Sequence, residues 1–270
     1  MEQRLAALEG GIAAVVTASG TSAIATTLLT LLKAGDHIVA SSSLYGGTYN
    51  LLSVTLPRHG ITTTFVDPSD AENFKSAVQE NTRTFFIESL GNPKLDVLDI
   101  EAISNQAKAF KVPLIVDNTV ATPGLLNPIE YGANIVIHSL TKYINGNGTA
   151  LGGAIIDAGT FDWANGKFPE FTEPSPGYHG LVYSEVLEAA AFIAKIRIEG
   201  LRDYGAALSP FNAFQIIQGL ETLEVRIQKH SENALLLAKW LQKQDLVAWV
   251  NYPGLESSAY KSLACLLYTS

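Results

Sequence analysis

Cysteine is nearly absent: the one thiol in 270 residues is Cys265, so neither a disulfide framework nor a thiolate metal site can be built. Clustered positive charge is missing too. Scattered along the chain, 18 Lys and Arg stand against 26 Asp and Glu, leaving a net charge of −8 and no electrostatic footprint for nucleic acid or an acidic membrane surface. No apolar run approaches the ~20 residues that span a bilayer. Met1-Glu2-Gln3-Arg4 lacks the cationic start and apolar stretch of a secretory signal. The five histidines (His37, His59, His138, His179, His230) lack the i, i+4 spacing and nearby carboxylates of a metal site, so each is expected to pack or to face solvent. Together these absences point to a soluble cytoplasmic protein whose partners are small molecules or further subunits, with no metal, nucleic acid or membrane.

What is present is apolar residue in quantity, 47% of the chain, enough for one large core and part of a second domain. From Ile12 to Ile156 short apolar runs alternate with longer amphipathic ones, the pattern of repeated β-α-β units and an α/β fold with a mostly parallel sheet. Strands are expected at Ile12–Thr17, His37–Ala40, Thr62–Val66, Thr84–Ile87, Leu114–Asp117, Ile135–His138 and Gly153–Ile156. Helices are expected at Ser22–Lys33, Tyr49–Leu56, Ala71–Gln79 and Ile100–Phe110, the first closed by Gly35. Phe168-Pro169-Glu170 and Glu173-Pro174-Ser175-Pro176-Gly177 read as an irregular surface excursion, because three prolines within eight residues interrupt any ladder. Helical periodicity returns over Glu185–Glu199 and Phe211–Gln244, the second long enough either to contain a break or to link two domains. Val247-Ala248-Trp249-Val250 then reads as the first strand of a second domain.

Two strand ends carry chemistry. The run Pro113-Leu114-Ile115-Val116 ends in Asp117-Asn118-Thr119, and Ile135-Val136-Ile137 ends in His138-Ser139-Leu140-Thr141-Lys142. In open parallel sheets ligands bind outside the carboxyl ends of the strands, so acid, amine and hydroxyls can meet at one rim. That set is what pyridoxal phosphate (PLP) requires. Lys142 would condense with the aldehyde as a free amine. A carboxylate at Asp117 would pair with the pyridinium nitrogen and keep it protonated; the competing use of Asp117 is to cap the next turn. Ser139 and Thr141 offer hydroxyls to a phosphate.

Ser19-Gly20-Thr21, between a strand and a helix, suits an anion at a helix start, or else a plain N-cap serine. Tyr45-Gly46-Gly47-Thr48 can lay a ring over a flat heteroaromatic, or be a glycine loop with a packing tyrosine. Asn92, in Gly91-Asn92-Pro93, occupies an equivalent rim position. Ser139-Leu140-Thr141-Lys142 also spells the Ser-x-x-Lys of penicillin-recognising acylases, but that scheme needs a later Ser-Asp-Asn and Lys-Thr-Gly, and neither occurs.

With these residues in place the chain resembles the cysteine/methionine-metabolism family of PLP enzymes, which have the type I (aspartate aminotransferase-like) fold. The likeness runs from about Glu2 to Ala264. It is carried by Leu5-Ala6-Ala7-Leu8-Glu9-Gly10-Gly11, Ser19-Gly20, Tyr45-Gly46-Gly47-Thr48, Gly91-Asn92-Pro93, Val116-Asp117-Asn118-Thr119 and His138-Ser139-Leu140-Thr141-Lys142-Tyr143. The resemblance implies that Lys142 holds PLP through a covalent imine and acts in catalysis with Tyr45, which also stacks on the ring. It further implies that Asp117 binds the pyridine nitrogen and that Asn92 lies near the phenolic oxygen. Gly20, Thr21, Ser139 and Thr141 would bind the phosphate.

After the lysine, Phe168–Pro174, Gly177–Leu181, Leu201–Ala206, Ser209–Phe214 and Gln218–Leu223 are similar to the branch that acts on O-acetylhomoserine with sulfide or a thiol. The alternatives are a cystathionine γ-synthase or γ-lyase, and an inert PLP-binding fragment. The division this implies is a PLP-binding large domain over 1–210 lacking its N-terminal segment. A linking helix and the start of a truncated C-terminal α+β domain follow over 211–264, then a tail foreign to the family over 265–270. The whole enzyme is expected to be a homodimer or homotetramer. Asn147 stands where the family has histidine.

Overall fold

The computed structural model describes residues 1–268. Of the expected foreign tail, Thr269 and Ser270 therefore lie outside the described residues. In chain order the elements begin with α1 (Glu2–Glu9), β1 (Ala13–Thr17), α2 (Gly20–Leu31) and β2 (His37–Ser41). Next come α3 (Gly46–Asn50), β3 (Thr62–Val66), α4 (Ala71–Ser76), β4 (Thr82–Glu88), α5 (Ile100–Ala109), β5 (Leu114–Asp117), β6 (Ile135–Ser139) and β7 (Gly153–Asp157). Short helices α6 (Pro169–Thr172), α7 (Tyr183–Leu187), α8 (Ala191–Lys195) and α9 (Arg202–Tyr204) lead to α10 (Pro210–Leu220), α11 (Leu223–Leu241) and α12 (Lys261–Tyr268).

The seven strands form one sheet in the order β1-β7-β6-β5-β4-β2-β3. Only β7 runs against its neighbours, pairing antiparallel with both β1 and β6. The parallel pairs between β2 and β3, β2 and β4, β4 and β5, and β5 and β6 put their carboxyl ends on one side. Helices cover both faces, so the central strands carry apolar runs, Phe85–Ile87, Leu114–Val116 and Ile135–Ile137, whereas the edge strand β3 is threonine-rich and only partly buried. Strand pleat divides the side chains between two cores. Phe85, Ile87, Leu114, Val116 and Val136 enter one, with α1 and α5. Phe86, Ile115, Ile135 and Ile137 enter the other, with Ile24 and Leu28 of α2 and the stacked Trp163 and Phe192.

All seven expected strands form, within one or two residues of their expected ends. The helices depart more. The first starts at Gly20 rather than Ser22, because Ser19 and Ser22 make a reciprocal capping box, and it ends at Leu31, before the turn in which Gly35 supplies its positive φ of 94°. The glycine-loop alternative after Tyr45 does not form: the chain is helical from Gly46, and the stretch continues to His59 through wide and then tight turns.

Pro169 does not prevent regular structure: at the first position of α6 its missing N–H is one the helix would leave unbonded. The expected Glu185–Glu199 helix is broken at Glu188, whose φ is +45°, and becomes α7, α8 and a wide turn over Ile196–Leu201. Of the two alternatives for Phe211–Gln244 a break forms, between α10 and α11. Residues Val247–Val250 are not a strand. Trp249 is 78% exposed, and a strand needs a neighbouring edge that these residues do not find among the described residues.

Candidate active site

The carboxyl ends of β4, β5 and β6 bring most of the expected site together. Glu88 ends β4 and pairs in register with Asp117 at the end of β5. Both side chains lie on the α2 face of the sheet, since each is two residues on from a side chain in that core, Phe86 and Ile115. Ser139 ends β6 two residues after Ile137, on the same face. Its amide donates to Thr119 Oγ1 at 2.8 Å, and the Thr119 hydroxyl donates in turn to Asp117 Oδ1 at 2.5 Å. The Thr119 amide donates to the same oxygen at 3.0 Å. One threonine thus joins the acid of β5 to the hydroxyl-bearing end of β6.

Helix α2 meets this rim at its first residue. A Cβ built on Gly20 would lie 2.5 Å from Ser139 Cβ, so only glycine lets the helix start sit against the strand end. The Ser22 amide is held by Ser19 Oγ at 3.1 Å. The amides of Gly20 and Thr21 have no protein acceptor among the described residues, and they form the positive end of the helix dipole. Thr141 Oγ1 instead bridges the backbone of Gly152, accepting from its N–H at 3.2 Å and donating to its carbonyl at 3.3 Å.

Lys142 follows on an exposed turn, its amide bonded to Ser139 O. The turn is anchored by Arg226 of α11, which donates to Tyr143 O at 2.8 Å and Gly219 O at 2.7 Å. Tyr45 caps α3 with its amide on Glu88 Oε1 at 2.7 Å. Its ring lies over Gly47, where a Cβ would come within 2.5 Å of Tyr45 Cε1. Asn92 is exposed in the loop after β4 and gives its backbone N–H to Glu88.

The two acids are electrostatically linked. Burial, then the neighbouring Asp117, pushes the Glu88 carboxyl up to about 8. Asp117 is also raised, by burial first, with Thr119's two hydrogen bonds and the charge of His138 pulling the other way. Two adjacent acids short of cationic compensation fit a site built to receive a positive group. The donor set therefore suits PLP: a carboxylate for a pyridinium, a glycine-cleared helix start and hydroxyl for a phosphate, an open tyrosine ring and a primary amine. A 550 Å³ cleft lined by Lys108, Glu130, Tyr131 and Asn134 is not this site, since it lies at the amino ends of β5 and β6.

Sequence reading missed Glu88, Thr119 and Arg226. Glu88 had a signal, an acid closing an apolar run as Asp117 does. Thr119 stood in the Asp117-Asn118-Thr119 strand end, but its bond to Ser139, like that of Arg226 to Tyr143, spans 20 and 83 residues and could not be read locally.

Fold and rim together define a PLP-binding domain of the type I class. Residues 1–265 match the family model described as Cys/Met metabolism PLP-dependent enzyme, and the chain belongs to that family. It is 57% identical over 265 residues to the O-acetyl-L-homoserine sulfhydrylase of Leptospira meyeri, covering 95% of this chain and 60% of that one. It is 52% identical to the homocysteine synthase of Schizosaccharomyces pombe, over 97% of this chain and 62% of the relative. Among solved structures, a Campylobacter jejuni protein holding N'-pyridoxyl-lysine-5'-monophosphate superposes with a TM-score of 0.95 at 42% identity, covering 99% of this chain and 67% of that one. The O-acetylhomoserine sulfhydrylase of Wolinella succinogenes gives 0.89 at 36%, covering 99% and 74%. The chain spans about 60% of the length of these curated relatives. Among the described residues no helix is long and apolar enough to cross a membrane, and no His, Cys, Asp or Glu cluster could hold a metal ion.

Proposed function

We propose that this chain is the cofactor-binding part of an enzyme that replaces the acetate of O-acetyl-L-homoserine with sulfide or methanethiol, giving homocysteine or methionine. The observation that carries the reading is the rim itself, Asp117 joined through Thr119 to Ser139 and packed on Gly20, one turn before Lys142. The names of the relatives support the substrate.

When bound, PLP supplies an electron sink for carbanionic character next to the substrate amine. The chain's own residues do the rest. Lys142 Nζ anchors the cofactor and then holds and moves protons at the substrate Cα and Cβ. Asp117 keeps a proton on the pyridine nitrogen. Tyr45 covers the ring, and Asn92 lies beside its phenolic oxygen. Gly20, Thr21, Ser139 and Thr141 bind the phosphate, Thr141 also bracing the Gly152 loop. At Cγ the carbon–oxygen bond breaks, acetate leaves with the electron pair, and the sulfur nucleophile forms the new carbon–sulfur bond after losing its proton.

The division at 210/211 is retained in this reading, with residues 1–210 as the cofactor domain and 211–264 leading into a second one. It is supported by the completion of the sheet before Ala158. A cytoplasmic homo-oligomer is also inferred. Phe211, Phe214, Val225 and Trp240, all exposed on α10 and α11, support further contacts there. The test is purified protein with added PLP. A lysine-bound absorption band that is lost in Lys142→Ala, with acetate released from O-acetylhomoserine only when sulfide is added, is the expected result. Acetate release unaffected by Lys142→Ala, or turnover of cystathionine in its place, overturns the reading.

A further inference from the structure

A buried polar chain lies on the reverse face of the sheet, directly behind the rim. Glu9, the last residue of α1, is wholly buried. Its Oε1 accepts from Asn118 Nδ2 at 3.0 Å and from His138 Nε2, which must donate because a carboxylate can only accept. Asn118 also donates to Leu126 O at 2.8 Å and accepts from the Ser89 hydroxyl at 2.8 Å. Glu9, Asn118, His138 and Ser89 are among the most buried polar side chains of the protein. Nothing in their composition requires polarity there, since the surrounding core is apolar. The arrangement also leaves Glu9 Oε2 and His138 Nδ1 buried without partners, a cost that an apolar packing of the same positions would avoid.

Position in the sheet explains the retained polarity. Ser89 directly follows Glu88, Asn118 directly follows Asp117, and His138 directly precedes Ser139. Because side chains alternate between faces, each member of the chain is the immediate neighbour of a rim residue and points the other way. Glu9, 109 and 129 residues distant from its two partners, ties the ends of β5 and β6 together from behind. On the front the side-chain link between the same two strands is Thr119, added to a backbone ladder that ends with the Asn118 N–H donating to Ile137 O at 2.9 Å.

We propose that Glu9, with Asn118 and His138, is a positioning group for the cofactor site: it holds the ends of β5 and β6 at the spacing at which Asp117 and Ser139 can engage one PLP molecule. The claim rests on the reading of Asp117 and Ser139 as cofactor contacts, so its test has one arm that needs no cofactor. Amide hydrogen exchange is measured on the cofactor-free chain at Thr119 and Ser139, whose N–H groups bond Asp117 and Thr119, and the dissociation constant and visible circular dichroism are measured with PLP.

In Glu9→Ala, exchange at these two amides is expected to rise, and PLP to bind more weakly, each by about tenfold, the consequence of leaving buried partners unsatisfied. Glu9→Gln keeps an acceptor for Asn118 and His138 and is expected to restore both readings to near the parent. Should Glu9→Ala fail to fold, Asn118→Ala carries the same expectation and decides. Parental exchange at Thr119 and Ser139, or a lower melting temperature with unchanged PLP affinity and dichroism, overturns the proposal. A parent that takes up no PLP sinks the cofactor reading instead, and the exchange arm then judges the positioning claim alone.

Discussion

Replacing Glu88 by glutamine tests the electrostatics of the rim. The folded chain holds the Glu88 proton up to about pH 8, against an ordinary value of 4.5. Between those values the folded state binds more protons than the unfolded state, so stability falls as pH rises; it is whole below 4.5 and the loss is complete above about 8. At 1.36 kcal/mol per pH unit, the parent loses up to about 3 kcal/mol between pH 5.5 and 8.5, and about 2 kcal/mol once titration shared with Asp117 is counted. Glutamine keeps an oxygen for the amides of Tyr45 and Asn92 but has no proton to lose. Urea denaturation of the cofactor-free chain at both pH values is the assay. The parent's midpoint should fall by about 0.7–1 M more than that of Glu88→Gln. Equal pH dependence in the two proteins would refute the reasoning, because it would mean that Glu88 ionises without cost beside Asp117.

Two further substitutions test the front of the site. Gly20→Ala places a methyl 2.5 Å from Ser139 Cβ and 2.8 Å from its Cα. Helix α2 must back away, with about 1–3 kcal/mol lost in a thermal melt, and PLP titration should show weaker binding; an unchanged affinity would separate the helix start from the phosphate site. Thr119→Val conserves shape but strips Asp117 of a donor and the Ser139 amide of its acceptor. A loss of about 1–3 kcal/mol in denaturant is expected, with Thr119→Ser recovering most of it, and a silent valine variant would show that the bridge between β5 and β6 is dispensable.

Much of this is legible in the amino-acid sequence. Leu114–Asp117 and Thr62–Val66 are strands with the bounds their sequence predicts, the first because a strand buried on both faces demands a short apolar run, the second, at the sheet edge, because β-branched Thr and Val with Phe favour extended backbone. The same logic located Asp117, Ser139 and Lys142 at carboxyl ends, the side of such a sheet where ligands bind. Local chemistry also marked Ser19 as a cap, although the helix it starts includes Gly20. It did not show that Glu188 would break a helix or that Val247–Val250 would find no strand to pair with, since both outcomes depend on what packs nearby.

The sequence by itself therefore determined the strands, the rim and the chemical kinds gathered there, because burial pattern and residue type are written position by position. Only the tertiary structure decided which groups are paired: Glu88 with the Tyr45 amide, Thr119 between Asp117 and Ser139, and Glu9 with His138 across 129 residues of chain. Pairing follows from which strand ends the sheet order makes adjacent and which face the pleat turns each side chain toward. Both are properties of the assembled sheet rather than of any one segment.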